Sequence, residues 1–313
     1  MAVRIDVVIP TNNRDHRLPR VVTPLLEDPA VSRIIIVNDA AQSAPESRKP
    51  DVAALSDRIE VISSRGVGPA KARQRGAERA SAEVLLFLDD DVVPAPGLAS
   101  RHARHHEERE GLLISGYTPV VARPGRRVSP EAAVYGVTYE KRCFEYETNQ
   151  VGVLTNLWGG NFSLRRKDAE AVGLASADFT EAWHEDRDFG LRCMEAGLSA
   201  VFDRNIRADH EYERVWGAVA AESYRRGYSL VVLHRLHRSI IGPLEERHFE
   251  RGRPYLVRLL VRLSAFPTLR RLAVRGLYLL RRAGGRLRLW RLQLATIRML
   301  RLMQSAAGAR DAA

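Results

Sequence analysis

Four short, almost continuously apolar segments divide the first 90 residues, and polar stretches with helical spacing lie between them. The segments are Val3–Pro10, Arg33–Val37, Ile59–Ser63 and Val84–Leu88. Strands that are buried on both faces of a sheet have sequences of this kind. The alternation of strands and helices therefore predicts an α/β fold with a doubly wound, mostly parallel Rossmann-like sheet and helices on both faces. Ligands of such sheets bind at the carboxyl ends of the strands, so functional residues should follow each segment.

The periodicity changes along the chain and indicates two parts. Helical spacing occurs in three early stretches, Arg17–Leu26, Pro69–Arg79 and Leu98–Glu110. Residues 111–215 are less periodic and more loop-like, although acidic residues at the start of Asp186–Ala196 predict a helix there. The rest of the chain has a helical pattern. We therefore predict an α/β domain at residues 1–215 and a helical, Arg/Leu-rich region at residues 216–313.

The positive charge is concentrated in that helical region. The whole chain has 49 basic and 38 acidic residues, a net charge of +11. Between Arg251 and Leu302 there are 14 arginines and 15 leucines, with no lysine, aspartate or glutamate. On a helix over residues 269–283, five arginines share one side and the apolar residues share the other. Such a basic amphipathic helix is typical of binding to an anionic membrane surface.

The leucines of this region would equally suit packing on the body of the protein or a contact in a homo-oligomer, and both alternatives stay open. We do not expect nucleic-acid binding, because patches that track phosphates rarely need so much leucine. The two cysteines, Cys143 and Cys193, cannot form a disulfide framework, and the segment MAVRIDVVIP leads directly into a strand pattern. We therefore expect a cytoplasmic protein. Peripheral attachment to the inner face of the membrane through residues 251–302 is a further hypothesis.

An acidic triplet, Asp89-Asp90-Asp91, follows the apolar run VLLFL. Three adjacent carboxylates repel one another, and at the end of a buried strand they cost stability unless a cation neutralises them. Asp89 and Asp91 emerge on the same side of an extended chain and would share one Mg²⁺ or Mn²⁺ ion, which prefers oxygen ligands. A solvated acidic turn is the alternative interpretation.

Six motifs follow one another in the order found in a known family. They are VVIPTNNR, IIIVNDAA, GVGPAKARQRG, FLDDDV, GGNFSLRR and HEDRDFGLRCMEAG, within residues 3–215. In this the chain resembles the inverting GT-A glycosyltransferases of family 2, which transfer sugars from nucleotide diphosphates. The resemblance implies a GT-A fold, a nucleotide-sugar donor and a Mn²⁺ or Mg²⁺ cofactor. Asn12, Asn38 and Ala40 depart from the family pattern, so UDP is the default donor nucleotide rather than a deduced one.

The resemblance also implies roles for individual residues. Thr11, Asn13 and Asp39 would line the nucleoside pocket. The full donor-side set is Pro10, Thr11, Asn13, Arg14, Asp39, Arg73, Asp89 and Asp90. Asp91 would bind the metal directly, Asp89 would contribute, and His210 lies where many relatives place a third ligand. A lone histidine is as often structural, and that alternative stays open for His210.

The segment Glu185-Asp186 supplies the remaining chemistry. An inverting reaction needs a base on the sugar face opposite the leaving diphosphate. The resemblance makes Asp186 that base, with Glu185 beside it, whereas the alternative is that both acids complement a helix N-terminus. Trp158, Gly160 and Asn161 would form the floor on the acceptor side, although Trp158 would also suit a core position.

We therefore expect a metal-dependent inverting glycosyltransferase whose acceptor is unknown, with a lipid-linked or amphipathic molecule as one candidate. The alternatives are a nucleotidyltransferase on a similar fold and a non-enzymatic basic module that binds membranes or nucleic acid. The first is disfavoured because PTNNR is a poor match to the loop such enzymes carry after their first strand. His102, His105 and His106 lie in a highly charged stretch, and we expect them on a solvated helix face rather than in a metal site.

Overall fold

The computed structural model describes residues 3–12, 15–40, 51–179, 183–245 and 247–313. It divides into two compact units. The first comprises residues 1–121 and 139–211, and the second comprises residues 122–138 and 212–313. None of the helices within the described ranges combines the length and the apolarity needed to cross a membrane.

The first unit is built on an eight-stranded sheet in the order β3-β2-β1-β4-β7-β6-β8-β5. The strands are β1 (Ile5–Thr11), β2 (Val31–Asn38), β3 (Ile59–Ser63), β4 (Val84–Leu88), β5 (Val92–Pro94), β6 (Leu112–Tyr117), β7 (Asn161–Arg165) and β8 (Ser199–His210). The first four strands of that order are parallel, while β7 is antiparallel to both β4 and β6, and β5 is antiparallel to β8. The sheet is therefore mixed, with a parallel half that confirms the α/β prediction.

Helices cover both faces of this sheet. They are α1 (Leu18–Leu26), α2 (Pro69–Arg79), α3 (Leu98–Glu108), α4 (Pro130–Thr148), α5 (Val151–Thr155), α6 (Arg166–Val172) and α7 (Glu185–Glu195). Alternate residues of β1 enter different cores: Val7 and Ile9 pack in one buried cluster with α1, and Val8 packs in another with Ala72 of α2. Two-sided burial explains why the strand sequences are apolar throughout.

The middle of the chain is more regular than its sequence indicates. Residues 130–148 form α4, a helix of 19 residues, where we expected loops. The motif GGNFSLRR contains β7, a central strand of the sheet. These elements have short or mixed patterns because their surroundings, rather than local periodicity, determine which side chains are buried.

The second unit is helical, as predicted for the C-terminal region. Its helices are α8 (Trp216–Leu236), α9 (Arg238–Ile241), α10 (Tyr255–Leu263), α11 (Pro267–Arg286) and α12 (Trp290–Ala312), together with the first turns of α4. Helices α8 and α12 pack backbone to backbone, since a Cβ built on Gly227 would overlap the carbonyl oxygen of Ser305. The prediction of a boundary between functional domains at residues 215 and 216 stays a prediction.

The apolar side of α11 is open within the described part of the chain. Leu269, Leu272, Leu279 and Leu280 are all exposed, as are Tyr255 and Leu256 of α10. The opposite, basic side is partly held inward, because the guanidinium of Arg281 lies 2.6 Å from the buried carboxylate of Glu131.

Candidate active site

The carboxyl ends of β1, β2 and β4 bring several predicted residues to one edge of the sheet. Thr11 ends β1, Asp39 follows β2, and the triplet Asp89–Asp91 follows β4. The hydroxyl of Thr11 donates to Asp90 Oδ2 at 2.7 Å, and both side chains are buried. Asp90 therefore links β1 to the end of β4.

Asp39 holds the loop that precedes α2. Its carboxylate accepts hydrogen bonds from the backbone N–H groups of Val67 (2.8 Å) and Gly68 (2.9 Å) and from the hydroxyl of Ser64 (2.5 Å). Gly68 has a positive φ of 90°, which a residue with a side chain adopts only at a cost. Asp39 thus fixes the glycine turn and the start of α2.

Asp91 lies between an imidazole and a guanidinium. Its Oδ1 is 3.5 Å from Nε2 of His210, and its Oδ2 is 3.5 Å from Nη1 of Arg17. His210 is the last residue of β8 and pairs with Val92 just beyond the triplet, so the sheet places it next to Asp91. Asp91 and His210 are both more than nine-tenths buried.

Two of the three predicted metal ligands are therefore adjacent. A carboxylate oxygen and an imidazole nitrogen 3.5 Å apart suit a divalent ion such as Mn²⁺. One oxygen of Asp89, the third predicted ligand, accepts a hydrogen bond from Arg73. Within the described ranges, no group of three or more His, Cys, Asp or Glu side chains is arranged to hold a metal. The residues present fit a metal for which the protein supplies few ligands.

Arg73 connects the aspartate triplet to α7. Its Nη2 donates to Asp89 Oδ1 at 2.8 Å, and its Nη1 lies 3.5 Å from Glu185 Oε1. Burial alone would lower the pKa of Arg73, but the charges of Asp89, Glu185 and Asp186 outweigh it and the pKa is raised. Arg73 is buried and stays a cation at the centre of these three carboxylates.

The acidic pair at the start of α7 is in an unusual electrostatic environment. Burial, together with the charge of Asp186, raises the pKa of Glu185 to about 7, and burial also raises the pKa of Asp186. Asp186 accepts hydrogen bonds from the backbone N–H of Gly159 (3.0 Å) and of Arg187 (2.8 Å). Two half-buried, interacting carboxylates with raised pKa values are typical of general acid–base sites.

The glycines before β7 let the chain pass between these groups. Because β7 is antiparallel to β4, Asn161 pairs with Leu88 and the preceding residues lie at the carboxyl end of β4. A Cβ on Gly160 would lie 3.3 Å from Asp89 Oδ2, and one on Gly159 would lie 3.1 Å from Cβ of Asp186. The Gly159–Gly160 segment therefore lies against both carboxylates, with little space for a side chain.

Asn161 and Trp158 are located mainly in the protein interior. The carboxamide of Asn161 donates to the carbonyl of Ile206 (3.1 Å) and bonds to the ring of His102 (3.0 Å). Trp158 is half-buried and packs edge-on against Tyr139, with ring centroids 5.1 Å apart. Of the predicted acceptor-side residues, Gly160 lies beside the carboxylate of Asp89.

The expectation that His102 and His106 are solvated is wrong. Both are fully buried, where α3 packs on the sheet. The ring of His102 bonds to Asn161 and to Ser163, and the ring of His106 bonds to Ser163 as well. Burial lowers the pKa of His102 to about 3 and, with the charge of His105, lowers the pKa of His106 to about 4. These histidines are neutral packing residues behind the site.

The remaining predicted residues fall in different places. Pro10 is half-buried within β1 and pairs with Val37. Asn13 and Arg14 lie outside the described residues. Sequence reasoning missed Arg17 and Glu211: Arg17 also donates to the carbonyl of Glu211 at 3.4 Å, and the Glu211 carboxylate pairs with Arg20. Arg17 is the residue directly before α1, and no local pattern of the sequence indicates its contact with Asp91.

Comparison with known sequences identifies the family. The family model described as glycosyl transferase family 2 matches residues 6–173, more than half of the chain. The chain belongs to glycosyl transferase family 2. The matched range includes Asp39, Arg73 and the triplet Asp89–Asp91, and it ends before Glu185 and His210.

Curated relatives of this family 2 chain are distant. An uncharacterized glycosyltransferase, YfnE, of Bacillus subtilis (strain 168) is 22% identical over 67% of this chain and 65% of its own length. A validoxylamine A glucosyltransferase of Streptomyces hygroscopicus subsp. limoneus is 27% identical over 66% of this chain and 52% of its own length. The chain thus spans between half and two thirds of the relatives that it matches here.

A solved structure supports the GT-A fold of this family 2 chain. The crystal structure of GalNAc-T7 with UDP, GalNAc and Mn²⁺ superposes with a TM-score of 0.51 and 15% identity. The match covers 68% of this chain and 44% of the other. At this level of identity the likeness concerns the fold, and the prediction of a GT-A fold with a helical C-terminal region is confirmed.

Proposed function

We propose that this protein is a metal-dependent inverting glycosyltransferase that uses a nucleotide-sugar donor, with UDP as the default nucleotide. One observation carries the proposal. The sheet edge that holds Asp89, Asp91 and His210 is joined through Arg73 to the acidic pair Glu185–Asp186. The residues that would stabilise the leaving diphosphate and the residues that would deprotonate the acceptor hydroxyl therefore belong to one network of contacts.

The donor side would be formed by the ends of β1 and β2 and the start of α2. Thr11 and Asp39, with Asn13 and Arg14 beyond the described residues, would lie along the nucleoside. The turn that Asp39 fixes ends at Gly68, where Pro69 begins α2, and the N-terminus of a helix suits close approach of an anion. Arg73, a buried cation, would lie near the diphosphate.

Asp91 and His210 would hold Mn²⁺ or Mg²⁺, with Asp89 supporting the site. When bound, such an ion would neutralise the charge that develops on the leaving nucleoside diphosphate. The chain's own contribution is to keep Asp91 and His210 side by side through the β5–β8 pairing and to keep Arg73 against Asp89.

Asp186 would accept the proton of the acceptor hydroxyl. Its raised pKa brings its proton affinity closer to the operating pH, which favours a general base. The backbone N–H groups of Gly159 and Arg187 fix the orientation of its carboxylate. Glu185, which lies against Arg73, would tune that pKa through its own charge. Gly160 would leave space for the acceptor, while Trp158 and Asn161 support the floor from behind.

The acceptor would be a lipid-linked or amphipathic molecule presented at the cytoplasmic face of a membrane. The argument rests on residues 251–302, where the arginines accompany an exposed apolar face on α10 and α11. Anionic lipids complement the arginines, and the leucines would enter the interface. A homo-oligomer contact through the same face is the competing proposal.

Thermal stabilisation by nucleotides tests the donor and metal assignments. Unfolding of the full chain would be measured with UDP, GDP and dTDP, each with and without Mn²⁺, for the natural protein, Asp91→Asn and Asp57→Asn. Asp57 is an exposed control that precedes the amino end of β3, away from the site. We expect one nucleotide with Mn²⁺ to raise the melting temperature in the natural protein and in Asp57→Asn, and not in Asp91→Asn.

The same samples would then be assayed with the corresponding nucleotide sugars. Release of the nucleoside diphosphate that depends on Asp91 supports the transferase proposal. Consumption of added inorganic diphosphate, with formation of a nucleoside triphosphate and a sugar 1-phosphate, would instead identify a nucleotidyltransferase. Equal stabilisation of Asp91→Asn and the natural protein would overturn the metal assignment.

A further inference from the structure

The helical unit contains a pocket of about 400 Å³ that is lined by none of the residues assigned to the donor. Three helices and one connecting segment line it: the first turns of α4, the middle of α8, the middle of α12, and residues 248–253. A volume in this range is typical of sites for small organic ligands. All of its lining residues belong to the second unit.

Four arginines from three separate segments line this pocket. They are Arg226 on α8, Arg253 on the connecting segment, and Arg298 and Arg301 on α12. No aspartate or glutamate of the described ranges is among the lining residues. The pocket therefore concentrates positive charge, and its field favours an anion.

Helix geometry directs these side chains to one place. Arg298, Arg301 and Ser305 are spaced by three and four residues, so they share one face of α12. The close approach of Gly227 to Ser305 fixes α8 against that face and places Arg226 beside it. Arg253 is anchored by a hydrogen bond from its Nε to the carbonyl of Phe249 at 3.1 Å.

Apolar side chains form a large part of the remaining wall. They are Val134 and Val137 of α4, Leu230 of α8, Leu302 of α12 and Phe249 of the connecting segment, beside the polar Thr138, His248 and Ser305. A site for a simple inorganic ion would gain nothing from such a wall, whereas an organic anion would bury its carbon atoms there. Guanidinium groups bind phosphate oxygens through paired hydrogen bonds, which makes a phosphate ester the anion that this donor set suits.

We propose that this pocket binds the phosphoryl group of an organic phosphate, with Arg226, Arg253, Arg298 and Arg301 on the phosphate and the apolar wall on the adjacent carbon chain. The inference does not depend on the proposed transferase activity, because none of these residues belongs to the donor or base site. The phosphate would come from a soluble ester or from the headgroup of a lipid.

Calorimetric titration of the full chain with hexyl phosphate tests the pocket. The titrations would be run in EDTA with the natural protein, Arg298→Gln/Arg301→Gln, and the control Arg271→Gln/Arg275→Gln. The control arginines are exposed on α11, do not line the pocket, and remove the same charge. We expect the pocket variant to bind about tenfold more weakly or worse, because charge-assisted hydrogen bonds are lost, and the control to change little.

Two further variants distinguish loss of binding at the pocket from misfolding and from binding at the donor site. Arg253→Gln changes an exposed residue outside the helices, so it should weaken binding without affecting folding, which circular dichroism would check. Asp91→Asn should bind hexyl phosphate as the natural protein does. Equal losses in both double variants, loss in Asp91→Asn, or no binding by the natural protein would each overturn the proposal. Inorganic phosphate should bind more weakly than hexyl phosphate, and equal affinity would overturn the role of the apolar wall.

Vesicles identify the source of the phosphate. Phosphatidylcholine vesicles with and without phosphatidic acid would be added to the protein in the presence of hexyl phosphate. Competition that requires phosphatidic acid and is lost in Arg298→Gln/Arg301→Gln supports a lipid headgroup. Undiminished binding of hexyl phosphate supports a soluble ester.

Discussion

At the scale of single residues, the proposed chemistry would depend on how Glu185 and Asp186 share a half-buried environment. Both carboxyl groups have raised pKa values because burial disfavours their charged forms, and Arg73 opposes that effect at Glu185 and at Asp186. Two interacting carboxyls titrate as a pair. The backbone hydrogen bonds to Asp186 orient it, whereas Glu185 faces the guanidinium. This asymmetry favours Asp186 as the base and Glu185 as the residue that adjusts it.

Replacement of Glu185 by Gln should shift the pH dependence of transfer. A base must be deprotonated, so kcat/KM should fall as the pH drops through the raised pKa of Asp186. Removing the negative charge beside Asp186 makes ionisation of Asp186 easier, and the acid limb should move to lower pH. Initial rates across a pH series, fitted for the apparent pKa of kcat/KM, would measure the shift.

Glu195→Gln is the matched control, because Glu195 is the last residue of the same helix and is exposed. Its pH profile should coincide with that of the natural protein. A profile of Glu185→Gln that also coincides would contradict the coupling. Loss of activity in Glu185→Gln, with activity retained in Asp186→Asn, would exchange the roles of the two residues.

At the scale of elements, strand ends were the most predictable part of the site. β1, β2 and β4 are buried on both faces, so their sequences reveal them, and a parallel sheet brings their carboxyl ends together. Contacts made across the fold were not predictable. The sequence around His102 and His106 is highly charged and predicts exposure. In the fold, both rings are buried and form hydrogen bonds with Asn161 and Ser163 of β7. Arg17 contacts Asp91 across 74 positions of sequence, which no local pattern encodes.

The packing of α8 against α12 is specified by glycine. Gly227 and Gly308 each lie where a Cβ would overlap a backbone carbonyl oxygen of the other helix, on Ser305 and Tyr224 respectively. Backbone atoms cannot turn aside as a flexible side chain does, so the helices would have to separate.

Gly227→Ala should therefore destabilise the helical unit by about 2 kcal/mol or more, since overpacking outweighs the better helix propensity of alanine. Gly276→Ala is the control, because Gly276 lies within α11 with open space around it and should gain about 0.5–1 kcal/mol. Chemical denaturation followed by circular dichroism would give both values. A Gly227→Ala protein as stable as the natural one would show that the two helices are not held this closely.

At the scale of the whole molecule, the distribution of charge matters more than its total. The net charge of +11 arises because a stretch without acidic residues contains 14 arginines, while the rest of the chain has a net charge of −3. The sequence predicted a basic amphipathic helix in this stretch, but it did not predict whether the arginine side or the apolar side would be exposed. The described structure leaves leucines of α11 open and ties Arg281 to Glu131. An exposed apolar face beside many cations resembles an interfacial surface more than a core-facing one.

Replacing two of those leucines should release the protein from anionic vesicles. Leu272→Ser/Leu279→Ser should weaken co-sedimentation with phosphatidylglycerol-containing vesicles by about tenfold or more, because each leucine contributes apolar area. Phe144→Ser is the control, since Phe144 is similarly exposed on α4 but lies outside residues 251–302. Point variants are preferable to a deletion of residues 251–313, which would remove α12 from its contact with α8.

Salt and oligomeric state separate membrane binding from self-association through this face. Higher ionic strength should weaken vesicle binding of the natural protein, because screening reduces the attraction between arginines and anionic headgroups. If the face is instead a contact between copies of the chain, the natural protein should be an oligomer by light scattering, and Leu272→Ser/Leu279→Ser should dissociate it without affecting vesicle binding. If the natural protein is a monomer and Leu272→Ser/Leu279→Ser binds vesicles as the natural protein does, both roles of these leucines are contradicted.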